Sequence, residues 1–142
     1  MRPGKEDLAG TAVRLAGKRM ELRAKSIRAA VSLTDGERLL LSRTRPRENA
    51  GRLDGWERDL APSAKLDFAL WRHWITPREH ASLFVGELWS HAHQLALLGA
   101  RASRHPVTLI CACSDRLRCR CDLVVEMVER LHGARAACAA GR

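Results

Sequence analysis

The sequence contains no tyrosine and two phenylalanines, so aromatic residues reach only 4% of the chain. A core of stacked rings is excluded, and Leu, Val, Ala and the four Trp must carry the packing. Lysine occurs only as Lys5, Lys18, Lys25 and Lys65, so the net charge of +9 is mostly arginine. No stretch nears the ~20 apolar residues that span a bilayer, and no membrane partner is expected. Charged residues from Lys5 to Glu21 break up the N-terminus, which has no apolar signal region. Neither a P-loop nor a dinucleotide fingerprint occurs, and no cofactor is expected. The five Cys are an odd number, and four of them lie within eleven residues, which is not a disulfide framework. The expected setting is therefore reducing and cytoplasmic.

What is present is ordinary globular material. At 142 residues, with 46% hydrophobic and 29% charged, the chain suits one domain with one core. Residues 1–25 read as a weakly ordered or helical tail and 134–142 as an Ala-rich tail, leaving 26–133 as the domain. Alternation from Ile27 to Leu33 predicts a half-buried strand. Asp35-Gly36 then offers a turn, and Leu39-Leu40-Leu41 a second strand, which suggests a hairpin. An Arg-studded loop spans 43–55. Ser63 can cap a helix carrying Leu66, Leu70 and Trp74 on one face. Thr76-Pro77-Arg78-Glu79 is a capping box with Pro at the first helical position. The helix it opens is predicted to run to Leu98 on a stripe of Phe84, Leu88, His91, Leu95 and Leu98, with Gly99 as its stop. Val107 to Cys113 is apolar without alternation, as in a strand buried on both faces. A helix from Asp122, ended by Gly133, completes half of a βαβ unit.

Three blocks resemble the YeaO-like family, bacterial domain of unknown function 488. Arg38-Leu-Leu-Leu-Ser-Arg-Thr-Arg-Pro-Arg47 is similar to its strand-and-loop signature. Leu53-Asp-Gly-Trp-Glu-Arg-Asp-Leu-Ala-Pro-Ser63 is the most specific match, with Trp56 and Asp59 to Ser63 in register. Val107 to Cys113 followed by Cys119 is the third, and Phe84 and Glu87-Leu88 fit the helix between. Ser42, Arg45, Glu48 and Phe84 replace the family's usual Asp, Trp, Gly and Tyr, which marks a divergent member. The resemblance implies a single three-layer α/β domain, its mainly parallel central sheet flanked by helices. It implies no particular reaction.

Chemistry-bearing residues gather at two places. Cys111, Cys113, Cys119 and Cys121 could hold zinc as a C-x-C-x5-C-x-C set, be inert core, or present one reactive thiol. Zinc sites favour wider spacing within each pair, and no bound metal is expected. Cys119 precedes a helix whose N-terminal dipole favours a thiolate, and Arg116, Arg118 and Arg120 act in the same direction. Cys119 is thus the candidate catalytic residue. The phosphatase spacing Cys-x5-Arg is missing, because Cys119 itself lies at that distance from Cys113. Arg43, Arg47, Asp59 and Ser63, with Arg116 and Arg118, are candidates to bind a small anion, since Arg forks suit phosphate and carboxylate. Alternatively, Arg43, Arg45 and Arg47 pair with Asp54, Glu57 and Asp59 and only pin the loop. The His residues form no metal set; His73, His80 and His105 are expected at the surface and His91 in the core. The four Trp are expected in the core rather than stacked on bases. Weak, sequence-blind nucleic-acid binding through the Arg excess, or a non-catalytic interaction role, remains the rival to small-anion chemistry.

Overall fold

An unbroken apolar run needs cover on both sides and along both edges. The computed structural model, which describes residues 20–47, 49–112 and 120–140, places that run centrally. Its strands are β1 (Leu22–Ser26), β2 (Glu37–Leu41), β3 (Gly55–Trp56) and β4 (Val107–Cys111). They form one sheet in the order β1-β4-β2-β3, with every pairing parallel. All five residues of β4 are buried. The helices are α1 (Ala64–Trp71), α2 (Pro77–Trp89), α3 (Ala92–Ala102) and α4 (Cys121–Ala140). The chain is thus an α/β domain on a parallel central sheet.

Period two divides the sheet side chains between two faces. Leu22, Leu39, Leu41, Val107, Leu109 and Cys111 share one core with the helices, through Phe84, Leu88, Leu95, Leu98, Val124 and Val128. On the opposite face Leu40 and Ile110 pack with Ile27, Ala50, Leu53 and Ala112, so among the described residues non-helical chain forms that layer.

That second face also holds the most buried charge. Arg38 is fully buried; its Nε and Nη2 donate to the carbonyls of Arg52 (2.6 Å) and Ala50 (2.8 Å), and its Nη1 to Asp35 Oδ2 (2.5 Å). Asp35 also accepts from Lys25 Nζ at 2.8 Å and from the Ser32 amide at 3.0 Å. Burial alone would raise the Asp35 pKa. The Lys25 ammonium, the Ser32 amide and the Arg38 guanidinium outweigh it and hold the carboxyl at about 2, against an ordinary 3.8. Arg38 thereby binds the 49–54 loop to the sheet.

Several expectations change. The first strand is Leu22–Ser26 and not the alternating stretch after Ile27, which turns and enters a short 3-10 segment at Leu33–Asp35. No hairpin joins it to β2, because β4 lies between them and pairs with both. Gly36 does take positive φ (65°), and a Cβ there would sit 2.2 Å from the Pro106 carbonyl oxygen.

The expected long helix is two helices. Ser90 ends α2, its hydroxyl donating to the Glu87 carbonyl, and α3 restarts after a half-buried His91. Gly99 does not stop α3; it lies inside it, where an added Cβ would meet Val128 at 3.3 Å. Gly133 does not end α4 either, since the following Ala-rich run favours helix enough to carry it to Ala140.

His80 is buried, not superficial. It lies four residues before Phe84 and extends the Phe84–Leu88 stripe backwards. The four Trp are not core. Trp71 and Trp74 are 70% and 65% exposed, and Trp89 and Trp56 lie outside the core as well. For Trp74 the reason is the length of α1: it ends before Trp74, His73 turns to φ 61°, and the stripe begun by Leu66 swings into solvent.

Candidate functional site

Two adjacent strands end side by side, and their chains then part. After β2 the chain crosses to β3 at one edge; after β4 it leads to α4, which packs over β1 at the other. Parallel sheets open a crevice beyond the strand C-termini at such a point. Here the crevice is a cavity of about 230 Å³. Leu41, Ser42 and Arg43 wall it from the β2 end, Ala112 from β4, and Arg120 and Cys121 from the start of α4. Ala61-Pro62 and the inward side of α1 and α2 close the rest, bringing Asp67, Leu70 and His80.

The Ser42-Arg43 wall is held from outside. Trp56 Nε1 donates to the Ser42 carbonyl at 2.6 Å, and the Arg58 guanidinium lies 4.5 Å from the Trp56 ring centre. Arg43 turns back on the 59–62 turn: Nη2 donates to the Ala61 carbonyl at 2.5 Å, Nε to that of Pro62 at 3.2 Å, and Nη1 stands 3.7 Å from Asp59. Leu60 is fully buried and seats the turn.

The opposite wall carries a chain of three side chains. Asp67 Oδ1 lies 2.8 Å from His80 Nε2, and Arg120 Nε donates to His80 Nδ1 at 2.9 Å. Arg120 Nη2 donates to the Pro77 carbonyl at 2.8 Å. An arginine can only donate. Nδ1 must therefore be the unprotonated nitrogen, and Nε2 carries the hydrogen shared with Asp67.

Of the residues selected from sequence, Arg43 lines the cavity but its donors serve the neighbouring turn. Asp59 is exposed and faces Arg43. Ser63 points elsewhere: its hydroxyl caps α1 by accepting from Leu66 N and donates to Glu87 Oε2, and its amide donates to Glu87 Oε1. Arg47 is exposed and does not line the cavity. Cys119, Arg116, Arg118 and Cys113 lie outside the described residues; Cys111 and Cys121 are buried. Among the described residues no group of three His, Cys, Asp or Glu could hold a metal.

Sequence reading missed Asp67 and His80 and gave Arg120 only a supporting part. The four-residue step from His80 to Phe84 was the available signal for His80. Nothing local announces Asp67, which meets His80 only once α1 and α2 pack.

Compared with family models, residues 22–132 match the one described as the Active DUF488-N3 subclade. No curated protein and no solved structure matches the chain.

Proposed function

The chain belongs to the DUF488 family, through its active N3 subclade, and from that premise we propose that it binds or processes a small anionic ligand in the cavity beyond β2 and β4. The observation that carries the reading is the convergence of Arg120 and the N-terminus of α4 on one cavity at the strand ends. Helix N-termini and guanidinium groups both favour negative charge. Cys119 precedes Arg120 in sequence, and we assign it the reactive thiol. Buried thiols at Cys111 and Cys121 fit a reducing, cytoplasmic setting.

The test is a pH series of alkylation rates resolved by peptide mapping, with and without phosphate. Cys119 should alkylate faster than Cys138 near neutral pH, because a lowered thiol pKa enlarges the thiolate fraction. Added phosphate should slow it. Equal rates for the two cysteines, or indifference to phosphate, would remove the thiol from the reading.

A second reading has its own observation. Phe68, Trp71 and Trp74 are exposed together, with Phe68 5.8 Å from Trp71 and 5.5 Å from Trp74, ring centre to ring centre. The Arg72 guanidinium lies 5.6 Å from the Trp74 ring centre. Aromatic faces beside arginine suit stacking of single-stranded bases. A single-stranded oligonucleotide should quench tryptophan fluorescence at low salt, and Trp71→Ala with Trp74→Ala should abolish most of the quenching. Unchanged quenching in the double variant would place any nucleic-acid contact elsewhere.

A further inference from the structure

The two arginines at the cavity differ in what compensates their charge. Arg43 donates to two carbonyls and keeps Asp59 3.7 Å from Nη1, so a carboxylate of its own chain already answers its charge. Arg120 is held by two neutral acceptors, His80 Nδ1 and the Pro77 carbonyl. Among the described residues no carboxylate pairs with it directly and its Nη1 has no acceptor. Its guanidinium is fixed through Nε and Nη2, and among the described residues the third nitrogen is unspent.

His80 is what fixes it. The imidazole is 1% exposed, and both ring nitrogens are engaged. In that geometry the imidazole is committed on both sides, to Asp67 and to Arg120. Asp67, accepting from Nε2, leaves the Nδ1 lone pair facing Arg120. The same logic orients metal-bound histidines through an outer carboxylate, here with a guanidinium in the metal's place. Apart from Ser42 and Cys121, the rest of the lining is apolar: Leu41, Ala61, Pro62, Leu70 and Ala112. A bare, strongly hydrated ion gains nothing from such walls.

We propose, on the reading of the cavity given above, that Arg120 is the residue that holds the ligand's anionic group, that His80 clamped by Asp67 is its positioning residue, and that the ligand is a small organic anion with an apolar body. The apolar body sits against Leu41, Pro62 and Leu70, and the phosphate or carboxylate meets Arg120. Arg43 shapes the wall and contributes no direct bond to the anion.

Two measurements test this on the full chain. The first needs no ligand: nitrogen-15 NMR of the histidines should show His80 with its hydrogen on Nε2 and none on Nδ1. A proton on Nδ1, or an imidazolium there, overturns the clamp. The second is calorimetric titration with phenyl phosphate, inorganic phosphate and phenol. Phenyl phosphate should bind more tightly than either fragment. Arg120→Gln should weaken it about tenfold or more, as expected for a lost charge-assisted hydrogen bond. His80→Ala should weaken it too, and His80→Gln, whose amide can accept from Arg120 and donate to Asp67, should restore most of the loss. That rescue separates positioning from a merely structural role. Binding by the wild type that Arg120→Gln leaves unchanged overturns the assignment and spares the cavity. Inorganic phosphate binding as tightly as phenyl phosphate overturns the apolar body. No saturable binding of phenyl phosphate or phosphate by the wild type overturns both the assignment and the cavity reading.

Discussion

Asp35 and Arg38 illustrate how a buried charge becomes a matter of acid stability. Asp35 is held at about 2 in the fold against 3.8 for the ordinary carboxyl. A depressed folded pKa contributes stability that is present above the unfolded value and lost as pH falls through the folded one. The wild type should therefore lose stability as pH drops from 3.8 towards about 2. Asp35→Asn should flatten that part of the curve in denaturant titrations run over the same range. Parallel curves for the two proteins would show that another carboxyl governs acid unfolding. Arg38→Met should be worse at neutral pH. It leaves Asp35 and the Ala50 and Arg52 carbonyls without their guanidinium, and breaking a buried pair in this way costs about 3–5 kcal/mol.

Elements depend on their ends and on their packed faces. At the end of α1 the His73 amide donates to the Leu70 carbonyl (3.0 Å) and the Trp74 amide to that of Ala69 (2.9 Å). That is a Schellman ending with histidine in the left-handed position that glycine usually takes. His73→Gly should stabilise the protein by about 1 kcal/mol, since a side chain in that region costs about 1–2 kcal/mol and glycine's extra unfolded freedom returns part of it. A lower melting temperature in the glycine variant would show that the His73 side chain contributes more than its backbone costs. In β4, Leu109→Ala deletes a fully buried side chain between sheet and helices and should cost about 2–5 kcal/mol in denaturant titration. A loss near zero would contradict the position of β4 at the centre of the core.

For the whole molecule the governing quantity is a net charge of +9. Arginines 38, 43, 52, 101, 120 and 130 all have protein acceptors, so much of the excess is spent on structure. Nucleic-acid binding through the remainder should be weak, blind to sequence and steeply lost as salt rises. Filter binding of two unrelated oligonucleotides across a salt series checks this. A specific sequence held tightly at physiological salt would make nucleic acid the principal ligand. Metal content is the other whole-molecule measurement. Native mass spectrometry should show no stoichiometric zinc, and chelator should leave the unfolding midpoint unmoved; a zinc adduct with chelator-induced unfolding would make the four clustered cysteines ligands.

Local chemistry by itself determined several features. The buried run of β4, the Ser63 and Thr76 caps, the apolar stripe from Phe84 to Leu98 and the positive φ of Gly36 each follow from residues close together in the chain. The same holds for the three motif blocks, whose resemblance the family match bears out. Partner choice is not local. Alternation after Ile27 predicts a half-buried strand, but that stretch turns and exposes Val31 and Leu33, and only β4 inserting between β1 and β2 decides that the strand is Leu22–Ser26 and that its neighbour is parallel. The helix break at Ser90-His91 lies inside one continuous apolar stripe, which a helix bent at that point can still bury. The Trp residues look like core by composition, yet all lie outside it, Trp74 because α1 ends before reaching it. Arg43 was legible as a cation that either meets an anion or pairs with an acidic neighbour to pin its loop, and the fold sets it beside Asp59. The Asp67–His80–Arg120 chain was not legible at all. Its members come from α1, α2 and the start of α4, separated by 13 and 40 residues, and their hydrogen bonds exist only where those elements pack.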